Sequence, residues 1–142
     1  MKVIILGCGR VGSTLARSLD SSNHEVTVID WNEQQFQRLG SNFGGETVIG
    51  TGIDEDVLRL AGIEYADVFV AVTNGDNRNI MASQIARTVF DVSHVLTRIY
   101  DPVRATMYHQ LGLDTVCSTT TMADIMQSKI TSEAAIQETA VV

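Results

Sequence analysis

Short apolar runs alternate with longer segments of helical periodicity along most of the chain. The apolar runs are rich in valine and isoleucine and lack regular polar alternation, which is typical of parallel strands covered on both faces. Six of these runs are predicted to be strands: Lys2–Leu6, Glu25–Asp30, Thr47–Gly50, Asp67–Val72, Val95–Tyr100 and Thr115–Cys117. The helices are predicted at Val11–Asp20, Asn32–Leu39, Glu55–Ala61, Asn77–Phe90, Pro102–Leu111 and about Thr121–Glu138.

The regular succession of strand and helix predicts an α/β fold. Right-handed crossovers between parallel strands lead to a Rossmann-like, doubly wound sheet of six parallel strands with the order 3-2-1-4-5-6. We expect residues 1–118 to form a nucleotide-binding domain and residues 119–142 to form an additional C-terminal helix and tail. Met122, Ile125, Met126 and Ile130 fall on one stripe of that helix. This stripe favours a crossover to a second subunit, with an intramolecular helix as the alternative.

Composition narrows the class of protein. A chain of 142 residues is near the usual size of one domain. Its net charge of −7 removes the usual electrostatic drive for binding nucleic acid, so we expect no such partner. The two cysteines, Cys8 and Cys117, show no metal-binding spacing and indicate free thiols in a reducing compartment. The sequence shows neither a signal peptide nor about 20 consecutive apolar residues, so we expect a cytoplasmic protein without direct membrane insertion.

A glycine-rich turn joins the first strand to the first helix. The stretch "ILGCGRVGSTLA", residues 4–15, contains Gly7, Gly9 and Gly12 in the spacing of a dinucleotide-binding fingerprint. The first glycine permits the tight turn, the second lets phosphate approach the backbone, and the third lets helix and strand pack closely. Free N–H groups at the helix start favour an anion. The alternative is a plain strand-to-helix turn.

Asp30 ends the second strand, where a carboxylate accepts hydrogen bonds from ribose hydroxyls. The same carboxylate repels a 2′-phosphate. The residues therefore favour NAD(H), ATP, ADP or AMP over NADP(H), and leave open which of these binds.

Several further residues follow predicted strands at the carboxyl edge, where open α/β sheets bind ligands. Arg10 lies inside the glycine turn and is expected to reach a terminal phosphate, with a solvent-facing side chain as the alternative. Thr73 and Asn74 are candidates for the cleft wall, and residues 50–54 for the adenine side. Arg98 lies within a strand, where an ion pair and a ligand role remain equally open.

The sequence shows no constellation for catalysis. His24, His94 and His109 fall outside the expected cleft, and the chain has neither a Ser-His-Asp set nor a Walker lysine motif. We therefore expect a binding protein and not an enzyme. The alternative is a fragment of an NAD-dependent oxidoreductase that lacks its substrate domain.

Four stretches, "VIILGCGRVGSTLARSL", "HEVTVID", "DEDVLRLAGIEYADVFVAVT" and "LTRIYDP", together resemble the TrkA N-terminal domain, also called the RCK or KTN domain. The resemblance covers about residues 1–130. It implies a cytosolic regulatory subunit that binds NAD(H) or ATP/ADP and gates a potassium uptake system. It further implies homo- or hetero-oligomers, in which dimers form an octameric ring beneath a membrane potassium-translocating subunit. An RCK-like regulator of another transporter is the remaining alternative.

The resemblance also implies roles for individual residues. The glycines would carry the phosphates, Arg10 would reach terminal phosphates near a subunit boundary, and Asp30 would take the ribose. One departure stands out: the usual "GDAT" after the third strand is "GTGI" here, with Thr51 in place of the acid. The residues expected to bind the nucleotide are Gly7, Gly9, Arg10, Val11, Gly12, Asp30, Trp31, Thr51, Gly52, Thr73, Asn74 and Arg98.

Overall fold

Six parallel strands form one sheet in the order β3-β2-β1-β4-β5-β6. The computed structural model describes the backbone of residues 1–140 and the side chains of residues 1–132. The strands are β1 (Lys2–Leu6), β2 (Glu25–Asp30), β3 (Glu46–Ile49), β4 (Val68–Ala71), β5 (His94–Arg98) and β6 (Asp114–Val116). The helices are α1 (Arg10–Ser21), α2 (Glu55–Leu60), α3 (Asp76–Thr88), α4 (Pro102–Gln110) and α5 (Ser118–Ala140), with 3-10 helices at Glu33–Leu39 and Ile63–Tyr65.

The predicted doubly wound sheet is confirmed, and the core lies on both of its faces. Ile4 and Phe69 belong to a buried cluster that includes residues of α2 and α3. Val3 and Ile5 flank Ile4 in β1 and point to the opposite face of the sheet. They belong to a second cluster with Ala16 of α1. Successive side chains of a strand point to opposite faces, so strands covered twice must be apolar throughout. This explains the unbroken apolar runs.

Two helices, α2 and α4, begin behind acidic N-cap residues. The Asp54 side chain accepts a hydrogen bond from the amide of Asp56 at 2.9 Å, and Asp101 accepts one from Val103 at 3.0 Å. Both acids satisfy amides that have no partner within the first helical turn. They fix the starts of α2 and α4 at the carboxyl edge of the sheet.

A helix is present where one is predicted over Asn32–Leu39, but it is a 3-10 helix and spans Glu33–Leu39. Its two core-facing residues, Phe36 and Leu39, are three positions apart. That spacing matches the three-residue turn of a 3-10 helix, which places both side chains on one face. Gly40, with a φ of 76°, is the C-cap at which this 3-10 helix ends.

The last helix begins earlier than predicted, at Ser118 instead of about Thr121. The amide of Thr121 donates to the carbonyl of Cys117 at 3.0 Å, which closes the first turn directly behind β6. The stripe residues Met122, Ile125, Met126 and Ile130 are between 49% and 68% exposed. Across the described residues, the helices are all too short or too polar to cross a membrane.

Candidate functional site

A cleft of about 560 Å³ opens at the carboxyl ends of the strands, where the chain order reverses between β1 and β4. It is the position at which doubly wound sheets bind ligands. All the residues expected to bind a nucleotide line this cleft except Gly12: Gly7, Gly9, Arg10, Val11, Asp30, Trp31, Thr51, Gly52, Thr73, Asn74 and Arg98.

The three glycines of the turn have separate structural roles. Gly7 has a φ of 107°, a left-handed conformation that favours glycine. At Gly12 a Cβ atom would lie 1.8 Å from the carbonyl oxygen of Gly7, so this glycine lets α1 pack against the turn. At Gly9, the N-cap of α1, a Cβ atom would have no protein atom within 4 Å. Gly9 therefore leaves open space in the cleft beside free helix N–H groups.

Backbone amides hold the Asp30 carboxylate in one orientation. One oxygen accepts a hydrogen bond from the amide of Cys8 in the glycine turn at 2.8 Å. The other accepts one from the amide of Asn32, also at 2.8 Å. A carboxylate has about four acceptor positions, so each oxygen keeps capacity for a donor in the cleft.

The ends of β2 and β3 form one side of the cleft, called here the Asp30 wall: Asp30, Trp31, Asn32, Thr51 and Ile53. Trp31 and Ile53 are 67% and 49% exposed, so this wall offers apolar surface next to a carboxylate. Gly52 also lines the cleft, and a Cβ atom there would come within 2.3 Å of the Leu6 side chain. Its absence of a side chain serves packing.

The ends of β4 and β5 form the opposite side, called the Arg98 wall: Thr73, Asn74, Arg78, Arg98 and Tyr100. The Arg98 guanidinium lies 4.1 Å from the centroid of the Tyr100 ring and donates to the carbonyl of Val72 at 3.4 Å. Its Nε is buried and has no hydrogen-bond partner among the described residues. A buried charged donor without a partner is costly, and an anion in the cleft lowers that cost.

Charge in the cleft runs opposite to the charge of the whole chain. Arg10, Arg78 and Arg98 line it together with a single acid, Asp30, although the net charge is −7. Arg10 is exposed at the first residue of α1, beside Gly9. The arrangement provides local positive charge for an anionic ligand and one acceptor at its far side.

Two residues of the Arg98 wall are also engaged within the protein. The Thr73 hydroxyl donates to the Asn79 side-chain oxygen at 2.6 Å and accepts from the amide of Gly75 at 3.2 Å. The Asn74 side-chain oxygen accepts from Arg78 at 3.2 Å. Thr73 therefore shapes the wall while its hydroxyl hydrogen bonds to Asn79.

Sequence reasoning missed several polar residues that line or support the cleft, among them Asn32, Gln35, Arg78, Asn79 and Tyr100. Asn79 is fully buried on the face of α3 that carries Ala82, Ser83 and Ala86. A polar residue on an otherwise small and apolar helix face is a signal available in the sequence. The Tyr100 carbonyl also accepts a hydrogen bond from the Thr119 hydroxyl, in the first turn of α5, at 2.8 Å.

Each wall has a free cysteine beside it. Cys8 lies behind the glycine turn, where burial and the nearby Asp30 raise the pKa of its thiol to about 11, partly opposed by Arg38. Cys117 precedes α5, with its Sγ 3.6 Å from the Tyr100 carbonyl. Burial raises the pKa of Cys117, but hydrogen bonds from Thr120 and Thr119 outweigh it and lower that pKa overall. The pKa values of the two thiols are therefore shifted in opposite directions.

Curated relatives are named as potassium uptake proteins. The chain is 51% identical over 130 residues to the Trk system potassium uptake protein TrkA of Streptomyces coelicolor, covering 92% of this chain and 58% of that protein. It is 41% identical over 102 residues to TrkA of Vibrio alginolyticus, covering 72% of this chain and 22% of that protein. The chain thus spans little more than half the length of the first relative and about a fifth of the second.

Solved structures share the fold. The Shewanella denitrificans Kef CTD in AMP-bound form superposes with a TM-score of 0.81 at 19% identity, covering 94% of this chain and 82% of that one. The GsuK channel bound to NAD gives 0.69 at 24% identity, and GsuK bound to ADP gives 0.67 at the same identity. Both comparisons cover 82% of this chain, against 21% and 30% of the respective GsuK chains.

One family model accounts for most of the chain. The model of the TrkA-N domain matches residues 3–119, from the first strand through the start of α5. This range contains the glycine turn and both walls of the cleft. The chain belongs to the TrkA-N domain family.

Proposed function

We propose that this chain is a nucleotide-binding regulatory domain of a potassium uptake system. The observation that carries the proposal is the pairing of Asp30 and Arg98 on opposite walls of one cleft, with the open Gly9 position between them. The Asp30 carboxylate suits ribose hydroxyls, and the arginines suit phosphate. The curated relatives are named as potassium uptake proteins, which supports the assignment to such a system.

The ligand is an adenine nucleotide without a 2′-phosphate, either NAD(H) or ATP/ADP. The residues fit such a group in two respects. Gly9 leaves a cradle that a Cβ atom would fill, and the buried Nε of Arg98 lacks a partner among the described residues. Related folds bound to AMP, NAD and ADP support the class of ligand.

The binding residues divide by wall. Gly7 and Gly9 hold phosphate against the backbone, and Gly12 permits that turn from behind. Asp30 takes the ribose, while Arg10 reaches a terminal phosphate. On the Asp30 wall the nucleobase lies against Trp31, Thr51 and Gly52. On the Arg98 wall the part of the ligand beyond the phosphates lies against Thr73, Asn74 and Arg98. Val11 lies beside the glycine turn.

The role we propose is regulation and not catalysis. His24, His94 and His109 lie outside the residues that line the cleft, and the curated relatives are named as uptake proteins. Binding regulates a partner only if the nucleotide has different affinities for two conformations. Each tenfold difference supplies about 1.4 kcal/mol per site, so several coupled sites bias a pore strongly. Arg10 is placed to distinguish a diphosphate from a triphosphate.

We further propose an assembly at the cytoplasmic face of the membrane. Residues 1–118 form the nucleotide-binding domain, and the C-terminal helix and tail, residues 119–142, contact a second subunit. The resulting dimers build an octameric ring on a membrane potassium-translocating protein. The exposed side chains of Met122, Ile125, Met126 and Ile130 support this contact. Potassium uptake in the names of the relatives supports the membrane partner.

Calorimetric titration with AMP, ADP, ATP, NAD and NADP tests the ligand. We expect at least one of the first four to bind in the micromolar range and NADP to bind more weakly than NAD. Gly9→Ala is the matched variant, because its new methyl group meets no protein atom within 4 Å. It should lose most of the affinity while its thermal unfolding midpoint stays within a few degrees of the wild type.

The proposal is overturned if the wild type binds none of these nucleotides. It also fails if Gly9→Ala binds as well as the wild type, since the cradle would then have no part in binding.

A further inference from the structure

Asn79 lies at the centre of a hydrogen-bonded network behind the Arg98 wall, and it does not line the cleft itself. It is fully buried in the first turn of α3. Its side-chain oxygen accepts from the amide of Thr73 at 3.0 Å and from the Thr73 hydroxyl at 2.6 Å. Its side-chain nitrogen donates to the carbonyl of Thr73 at 3.0 Å and to that of Arg98 at 3.0 Å.

The partners fix the orientation of the Asn79 amide. The reversed orientation would set its NH2 group against the N–H of Thr73 and its oxygen against two carbonyl oxygens. All four strong bonding positions of this side chain are therefore used, two as acceptor and two as donor. Such a completely satisfied buried group specifies a single arrangement of its neighbours.

That arrangement extends the contact between two neighbouring strands beyond their last paired residues, Ala71 and Thr97. Thr73 follows β4, and Arg98 ends β5. The Arg98 guanidinium in turn donates to the carbonyl of Val72, one residue before Thr73. The bond from Asn79 to the Arg98 backbone, the side-chain bond to Val72 and the Tyr100 ring together hold the guanidinium at the cleft wall.

We propose that Asn79 is a positioning residue for the part of the ligand that lies beyond the first phosphate. This inference rests on the proposed nucleotide-binding function. Asp30, on the opposite wall, takes the ribose of an adenosine, so AMP depends mainly on the Asp30 wall. ADP and NAD extend further, toward the Arg98 wall that Asn79 holds together.

The experiment compares ADP and NAD with AMP by calorimetry on the wild type, Asn79→Ala and Asn79→Ser. The decisive quantity is the ratio of the ADP affinity to the AMP affinity on one preparation. A loss of folded or binding-competent protein lowers both affinities by the same factor and leaves this ratio unchanged. We expect the ratio to fall about tenfold in both variants, the loss of one charge-assisted contact. The ratio for NAD should fall similarly.

Thr97→Val is the matched control. The Thr97 hydroxyl donates to that of Ser83 at 2.8 Å, so this buried bond also joins β5 to α3. Thr97 does not line the cleft. The control should lower the unfolding midpoint and leave the ADP-to-AMP ratio within about twofold of the wild type.

The outcomes separate this inference from the proposed function. A wild type that binds no nucleotide overturns the proposed function. A wild type that binds ADP and AMP equally tightly, Asn79 variants that keep the wild-type ratio, or a control that shifts the ratio as far as they do each overturn the positioning role. If Asn79→Ala aggregates, the smaller change to Asn79→Ser decides.

Discussion

The Asp30 wall and the Arg98 wall complement opposite kinds of chemistry within one cleft. Asp30 is oriented by two backbone amides at 2.8 Å, beside the exposed ring of Trp31. Arg98 is oriented by an aromatic ring and one carbonyl, and its Nε has no partner among the described residues. The Asp30 carboxylate thus has protein partners on both oxygens, whereas the Arg98 guanidinium has one nitrogen without a partner among the described residues. We expect this difference to orient a nucleotide in the cleft, with its ribose hydroxyls toward Asp30 and its phosphates toward the arginines.

The largest effect is expected from Arg98→Ala. Removal of the guanidinium eliminates both its positive charge and its stacking on Tyr100, so the affinity for ADP should fall by roughly 10- to 100-fold. Titration calorimetry measures this loss. Arg87→Ala is the control, because the Arg87 guanidinium donates to the Gly112 carbonyl outside the cleft. Equal losses in both variants would show that Arg98 acts only through stability or net charge.

A smaller effect is expected from Asp30→Asn. One carboxylate oxygen becomes an NH2 group that opposes the amide of Cys8 or of Asn32, and the negative charge that repels a 2′-phosphate disappears. The preference for NAD over NADP should fall about tenfold, by the loss of one charged interaction. Competition binding with the two dinucleotides measures it. An unchanged preference would remove Asp30 from the selection against NADP.

The smallest effect, one of rate and pH dependence, comes from the two cysteines. Cys117 should react with iodoacetamide faster than Cys8 at pH 8, because its pKa is lowered whereas that of buried Cys8 is raised to about 11. Mass spectrometry of the modified peptides gives the two rates. Faster modification of Cys8 would contradict the described burial of the glycine turn.

The raised pKa of Cys8 also predicts the sign of a stability change. The folded protein keeps the thiol proton above the pH at which the unfolded chain loses it, about 9. The contribution of this thiol to the free energy of unfolding is therefore full below pH 9 and is lost as pH rises toward 11. Denaturant titrations at several pH values measure the free energy of unfolding. Across this window it should fall more steeply with pH in the wild type than in Cys8→Ala.

The sheet was predictable because its determinants are local. Each buried strand, such as Lys2–Leu6 or Val68–Ala71, is a short apolar run, and the glycine spacing marks the turn between β1 and α1. Their order is that of the Rossmann arrangement, which the alternation of six strands with helices favours. Asp30 was predictable from its place at the end of β2, which brings it to the same edge as Gly7.

The parts that sequence reasoning missed depend on contacts between distant segments. Asn79 bonds to Arg98, 19 residues away, and no local pattern specifies that pair. Thr73 was predicted to lie in the wall, but the hydrogen bond from its hydroxyl to Asn79, across the turn between β4 and α3, was not predicted. The 3-10 type of the helix over Glu33–Leu39 was not predictable, because the three-residue spacing of Phe36 and Leu39 also occurs on one face of an α-helix.

Tyr100 contacts both the cleft and the last helix. Its ring faces the cleft against Arg98, and its carbonyl holds the first turn of α5 through Thr119. With 23 residues at about 1.5 Å each, α5 is a lever roughly 34 Å long. A tilt of only about 5° at Tyr100 would sweep the far end of such a lever through roughly 3 Å. A small displacement at the cleft that tilted α5 in this way would therefore be largest at the far end of that helix.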